Sequence, residues 1–105
     1  MNSPTWEKYG LSPENGQRLL AVLAAFPEVR QAILFGSRAK GNYKPGSDID
    51  LAVKGEVSKD TLSQLLTAFE ESLLPYFVDV VVYENLKNEA LKEHIDRGGL
   101  YLVDR

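Results

Sequence analysis

The sequence predicts an α+β protein with α/β-type alternation: a small mixed sheet of about four strands with helices packed on it, in one domain spanning residues 1–105. Three observations carry that expectation. The hydrophobic pattern switches several times between the period of a helix and that of a strand, with no repeat, low-complexity segment or linker between. The run Phe77 to Tyr83 (FVDVVVY) has the β-branched content of a strand. The residues suited to chemistry stand at the end of one strand and the beginning of the next, and such ends meet only if those neighbours run antiparallel.

In chain order, Ser12-Pro13-Glu14 reads as an N-cap, a first-turn proline and a first-turn acid. They open a helix whose Leu19, Leu20, Leu23 and Phe26 share a face before Pro27 stops it. Val29 to Phe35 reads as a buried strand ending in Gly36. Gly36 to Lys40 looks like a short helix start, and Gly41 to Gly46 is dense in turn residues. A second strand is expected from Asp48 to Lys54. Ser58 caps the next helix, where Leu62, Leu65, Leu66, Phe69 and Leu73 form one apolar stripe until Pro75. Phe77 to Tyr83 is the third strand. A last helix is expected from Leu86 to Arg97, then Gly98-Gly99 and a short strand, Leu100 to Val103.

Composition excludes several kinds of chemistry. The chain has no cysteine and one histidine, so disulfides, thiolate zinc sites and cysteine nucleophiles are ruled out. The N-terminus, MNSPTWEKYG, lacks a basic start followed by an apolar stretch, and the most apolar run is too short to span a bilayer. Neither a leader nor a membrane partner is expected, and the cytoplasm is the default location. Net charge is -3 but unevenly spread. Residues 30–54 hold five basic side chains against two acidic ones, while residues 55–105 hold five against ten. An acidic chain of this kind is a poor generic nucleic-acid binder, whereas a local basic spot suits a small polyanion.

Strand residues alternate faces, so in Asp48-Ile49-Asp50-Leu51-Ala52-Val53 the aspartates point one way and Ile49, Leu51 and Val53 the other. The apolar trio belongs to the core. Two carboxylates about 6 to 7 Å apart at the backbone are left on the opposite face, from which they converge on one divalent cation or bridge two. In the third strand Val78, Val80 and Val82 share a face and Asp79 takes the other. An ionised aspartate in so apolar a run costs several kcal/mol unless a cation or donors compensate it. If all three acids share a face they form a hard oxygen site with open positions, suited to Mg²⁺ or Mn²⁺ carrying substrate phosphates. Gly36-Ser37 supplies the complement. Glycine admits a ligand close to the backbone, Ser37 offers a hydroxyl and an N–H, and Arg38 and Lys40 add charge-assisted bonds.

Gly36-Ser37, ten intervening residues, Asp48-x-Asp50, and a later Asp79 in a strand resemble the nucleotidyltransferase signature of the DNA polymerase beta superfamily. The string ILFGSRAKGNYKPGSDIDLAVKG is similar to the minimal nucleotidyltransferases, which consist of little beyond the catalytic domain. That resemblance implies a mixed-sheet nucleotidyltransferase fold and transfer of a nucleoside monophosphate, AMP from ATP, with release of pyrophosphate. Position by position, it implies that Asp48 and Asp50 hold two Mg²⁺ ions, with Mn²⁺ an alternative. Asp79 would bind the catalytic one and help deprotonate the attacking hydroxyl. It further implies that Gly36 and Ser37 grip the terminal phosphates and that Arg38 offsets charge on the departing pyrophosphate. The family also suggests an antitoxin of the prokaryotic cytoplasm that adds AMP to a tyrosine of an all-helical HEPN-domain toxin. A module that binds nucleotide or toxin and neutralises its partner by contact is the alternative. The acceptor is left open between protein, RNA and a small molecule, and self-association is left open as well.

Other chemistries fit less well. A Walker P-loop needs a Gly-Lys-Ser/Thr ending that Gly36 to Lys40 does not supply. A phosphatase Asp-x-Asp ends an apolar strand, whereas this pair begins one, and an EF-hand would need an oxygen ligand where Ala52 stands. His94, beside the Ala90, Leu91, Ile95 stripe and near no other candidate ligand, reads as structural or exposed. Trp6 and the tyrosines read as core or rim.

Overall fold

The structure, a computed structural model, describes residues 5–105. Helix α1 (Pro13–Ala24) starts where the Ser12 hydroxyl accepts the Asn15 N–H at 3.1 Å, with Pro13 in the first turn. Strand β1 (Val29–Phe35) follows, then the single turn α2 (Ser37–Lys40) and β2 (Ile49–Gly55). Helix α3 (Lys59–Glu71) is capped by Ser58, whose hydroxyl accepts from the Thr61 N–H at 3.1 Å. It is followed by β3 (Val78–Val82), α4 (Glu89–Gly98) and β4 (Leu100–Asp104).

Local features depart from the sequence reading at three places. Helix α3 stops at Glu71, where the Ser72 hydroxyl donates to the Phe69 carbonyl at 2.6 Å, so Leu73, expected on the apolar stripe, lies beyond the helix and is 78% exposed. The last helix begins at Glu89, three residues after the expected start. Tyr83–Asn85 forms a 3₁₀ turn, and the Asn88 side chain accepts the Leu91 N–H at 3.1 Å, so a side-chain cap sets the boundary. Ahead of α1, Trp6–Tyr9 forms a second 3₁₀ turn that the apolar pattern does not announce. Trp6 is only 3% exposed and lies against Gly16 so closely that a β-carbon there would collide with the indole.

The sheet order is β3-β2-β1-β4, with β1 antiparallel to both β2 and β4 and β2 parallel to β3. It is mixed, as the placement of Gly36 and the aspartates requires. Its two faces are covered unequally. Ile49, Leu51 and Val53 of β2 and Val78, Val80 and Val82 of β3 join the larger core, which α1 and α3 close with Leu19, Leu23, Leu65 and Phe69. On the other face Ile33, Phe35 and Ala52 meet Ile95 of α4 in a cluster of four buried residues. The strand ends carrying Gly36, Asp50 and Asp79 lie on the side of this smaller cluster. Among the described residues, no helix is long and apolar enough to cross a membrane.

Candidate active site

Asp50 is the register partner of Phe35 on β1 and of Asp79 on β3. Directly opposed residues of neighbouring strands lie about 4.8 Å apart and project to the same face, so Asp50 and Asp79 stand side by side. Asp48 immediately precedes β2 and is exposed, as is Asp79, while Asp50 is half-buried. The three acids share one electrostatic neighbourhood. Burial above all, then the charge of Asp79 and then that of Asp48, pushes the Asp50 carboxyl above the usual aspartate value, against a smaller pull from Arg38.

The carboxylates are not closed on a single point: among the described residues, no three acidic, histidine or cysteine side chains are gathered as a ready-made metal cage. The donors nonetheless fit a hard divalent cation. They are carboxylate oxygens, two of them on directly paired residues, and their mutual repulsion at Asp50 is what such a cation relieves.

Gly36 ends β1 with φ +79° and ψ -153°, a conformation that glycine adopts without steric cost. A β-carbon at this position would run into Asp50 Oδ2, so the missing side chain is what allows the turn to approach the carboxylate. Ser37 opens α2, whose end is tied by the Gly41 N–H to the Ser37 carbonyl at 3.0 Å. Its hydroxyl therefore stands one residue from the turn that touches Asp50. Lys40, at the other end of α2, is exposed.

Arg38 behaves differently from the expectation that it faces the leaving group. It is 1% exposed and donates to backbone carbonyls: Nε and Nη2 to Ser47 at 3.1 and 2.6 Å, and Nη1 to Tyr9 and Gly10 at 3.0 and 3.1 Å. The guanidinium carbon also lies 4.6 Å from the ring centroid of Tyr76 and 5.5 Å from that of Tyr43. This cation is a strut. It ties the Trp6–Tyr9 turn to the loop that delivers Asp48, and its charge pulls the Asp50 carboxyl downward. A rigid planar fork finds three carbonyls from two distant segments here, which neighbouring residues in sequence do not reveal.

His94 was the residue whose place sequence reasoning missed. From α4 it directs Nε2 at the Gly36 N–H, which donates to it at 3.0 Å, and its ring meets Phe35 edge-on with centroids 6.2 Å apart. Fifty-eight residues separate the partners, so no local pattern signals the contact.

The model of the family described as "Polymerase beta, Nucleotidyltransferase" matches residues 17–105. The chain belongs to that family. The chain is 49% identical over 49 residues to "Probable protein adenylyltransferase MntA" of Haemophilus influenzae, an alignment covering 45% of this chain and 43% of that protein. It is 36% identical over 75 residues to "Putative protein adenylyltransferase MJ0604" of Methanocaldococcus jannaschii, covering 69% of this chain and 72% of the relative. The chain thus spans less than half of the Haemophilus protein and nearly three quarters of the archaeal one.

Among solved structures, a chain of a toxin–antitoxin crystal structure with AMP-PNP superposes with a TM-score of 0.70 at 23% identity, covering 87% of this chain and 74% of that one. A chain from a complex of the tri-AMPylated Shewanella oneidensis HEPN toxin with its MNT antitoxin gives 0.64 at 21% identity, covering 88% and 71%. Both show the nucleotidyltransferase fold.

Proposed function

We propose that this nucleotidyltransferase transfers AMP from ATP to a hydroxyl of a partner protein, a tyrosine of a HEPN-domain toxin, and so acts as that toxin's antitoxin in the prokaryotic cytoplasm. The observation that carries the reading is the pairing of Asp50 with Asp79 beside the Gly36-Ser37 turn. It is supported by the names of the relatives, which are protein adenylyltransferases, and by the structural neighbours, which come from toxin–antitoxin complexes.

In this reading Ser37 binds the terminal phosphates through its hydroxyl and N–H, and exposed Lys40 adds charge beside them. The acceptor oxygen bonds to the α-phosphorus while the bond to the bridging oxygen of the β-phosphate breaks, and pyrophosphate leaves. The proton of the acceptor hydroxyl passes to Asp79, which the open side of β3 leaves accessible. Asp48, Asp50 and Asp79 would hold Mg²⁺ or Mn²⁺, a pair of ions that when bound supplies positive charge to the entering and leaving oxygens. Arg38 holds the approach to Asp48 in place from below.

Incubation with α-labelled ATP, Mg²⁺ and the neighbouring gene product tests the proposal. The wild type labels the partner, and Asp48→Asn lowers transfer by at least about 10³-fold, in keeping with the several kcal/mol that such ligands contribute. The variant still forms the complex. An Asp48→Asn protein that neutralises its partner without label transfer would establish inhibition by contact instead.

A further inference from the structure

We infer that His94 is a positioning residue for nucleotidyl transfer, acting through Gly36 and resting on the function proposed above. Gly36 is held from two sides. Its α-carbon faces the Asp50 carboxylate so closely that no β-carbon fits, and its N–H donates to His94 Nε2 at 3.0 Å. The imidazole that accepts this bond is neutral and carries its proton on Nδ1, as the hydrogen-bond pattern requires.

That bond has two consequences. First, the N–H of Gly36 is occupied, so of the Gly36-Ser37 pair it is Ser37 whose donors have no partner among the described residues and are available to phosphate. Second, a turn in a glycine-only conformation is tied to α4, an element that otherwise touches the sheet through Ile95 and its neighbours. The ring is itself held against Phe35, the register partner of Asp50, with centroids 6.2 Å apart. His94 therefore fixes the Ser37 hydroxyl relative to the carboxylates, a spacing on which phosphoryl chemistry is sensitive at the level of about 0.5 Å. On its other side Nδ1 faces Gly98, where even an added β-carbon would stay 3.5 Å away, and an open groove of about 450 Å³ bordered by Glu93 and Arg97.

Two substitutions and two readouts test this. His94→Leu keeps bulk and removes the acceptor, whereas His94→Gln restores an oxygen at comparable reach. Amide exchange at Gly36 judges the tether without any ligand: it accelerates about tenfold or more in His94→Leu and returns toward wild type in His94→Gln. Calorimetric titration with AMP-PNP and Mg²⁺ judges the consequence. In a protein still folded at the assay temperature His94→Leu weakens binding about tenfold, and His94→Gln recovers most of the loss. Unchanged exchange at Gly36 in His94→Leu overturns the inference, as does unchanged AMP-PNP affinity in a folded His94→Leu protein. A wild type that binds no AMP-PNP would instead defeat the proposed function, while the exchange measurement still decides the tether.

Discussion

On the α1/α3 face of the sheet, Ile49, Leu51 and Val53 are fully buried under Leu19, Leu23 and Leu65. On the α4 face, β2 and its neighbours bury Ile33, Phe35 and Ala52 beneath Ile95, and leave Asp50 half-buried and Asp79 exposed. The same strands thus carry a packed core on one side and a carboxylate pair on the other. Stability and the carboxylate pair are separated here by strand alternation: residues one position apart serve opposite purposes. Burial on the first face holds the strand register that sets the spacing of the acids on the second.

If the faces are separable, a cavity on the core face lowers stability without touching transfer. Leu65→Ala is expected to cost about 3 kcal/mol in urea unfolding, with transfer per folded molecule unchanged. Transfer that falls in step with stability would break the division.

A smaller effect is expected where the two regions are joined. Arg38→Met leaves the carbonyls of Ser47, Tyr9 and Gly10 without their buried donor and is expected to cost about 2 kcal/mol. Transfer should fall as well, because the Ser47 carbonyl lies next to Asp48. Urea unfolding beside a transfer assay separates this outcome from that of Leu65→Ala.

Because Asp50 titrates above its ordinary value of 3.8 in the folded protein, protonation favours the fold: that contribution is fully present below about pH 4 and is lost as pH rises through the folded value. At neutral pH the ionised carboxylate therefore detracts from stability. Asp50→Asn should melt at or above the wild-type temperature at pH 7, with the gap closing as pH falls toward 4, although it loses transfer. A variant that melts below wild type at pH 7 contradicts this. Mg²⁺ should narrow the same gap, since a cation bound to the wild type relieves the repulsion that the substitution removes.

Much of this was legible in the linear chain because it rests on short-range rules. Serine caps with a proline or an acid behind them fixed the starts of α1 and α3, the glycine-serine turn and the Asp-x-Asp spacing marked the candidate site, and period-two alternation assigned Ile49, Leu51 and Val53 to the core. The start of α4 was misplaced because Leu86 belongs to an apolar pattern while Asn88 supplies the cap, and the hydrogen bond decides a helix end. Arg38 and His94 show where local reading stops. A basic residue beside a phosphate-type loop looks like a phosphate ligand until the fold brings three carbonyls around it, and a lone histidine reads as structural or exposed with no partner assignable until α4 carries it across to Gly36.

By itself the sequence determined which side of each strand is apolar, where the chain turns and which residue types could bind a cation and a triphosphate, because those follow from backbone geometry and neighbours a few positions away. Only the tertiary structure decided that Asp50 pairs with Asp79, that Arg38 points inward and that His94 tethers Gly36. The pairing of Asp50 with Asp79, the bonds from Arg38 to Tyr9 and Gly10 and the bond of Gly36 to His94 join segments 28 to 58 residues apart, and hydrogen-bond directions across such separations are set by packing, which no local pattern encodes.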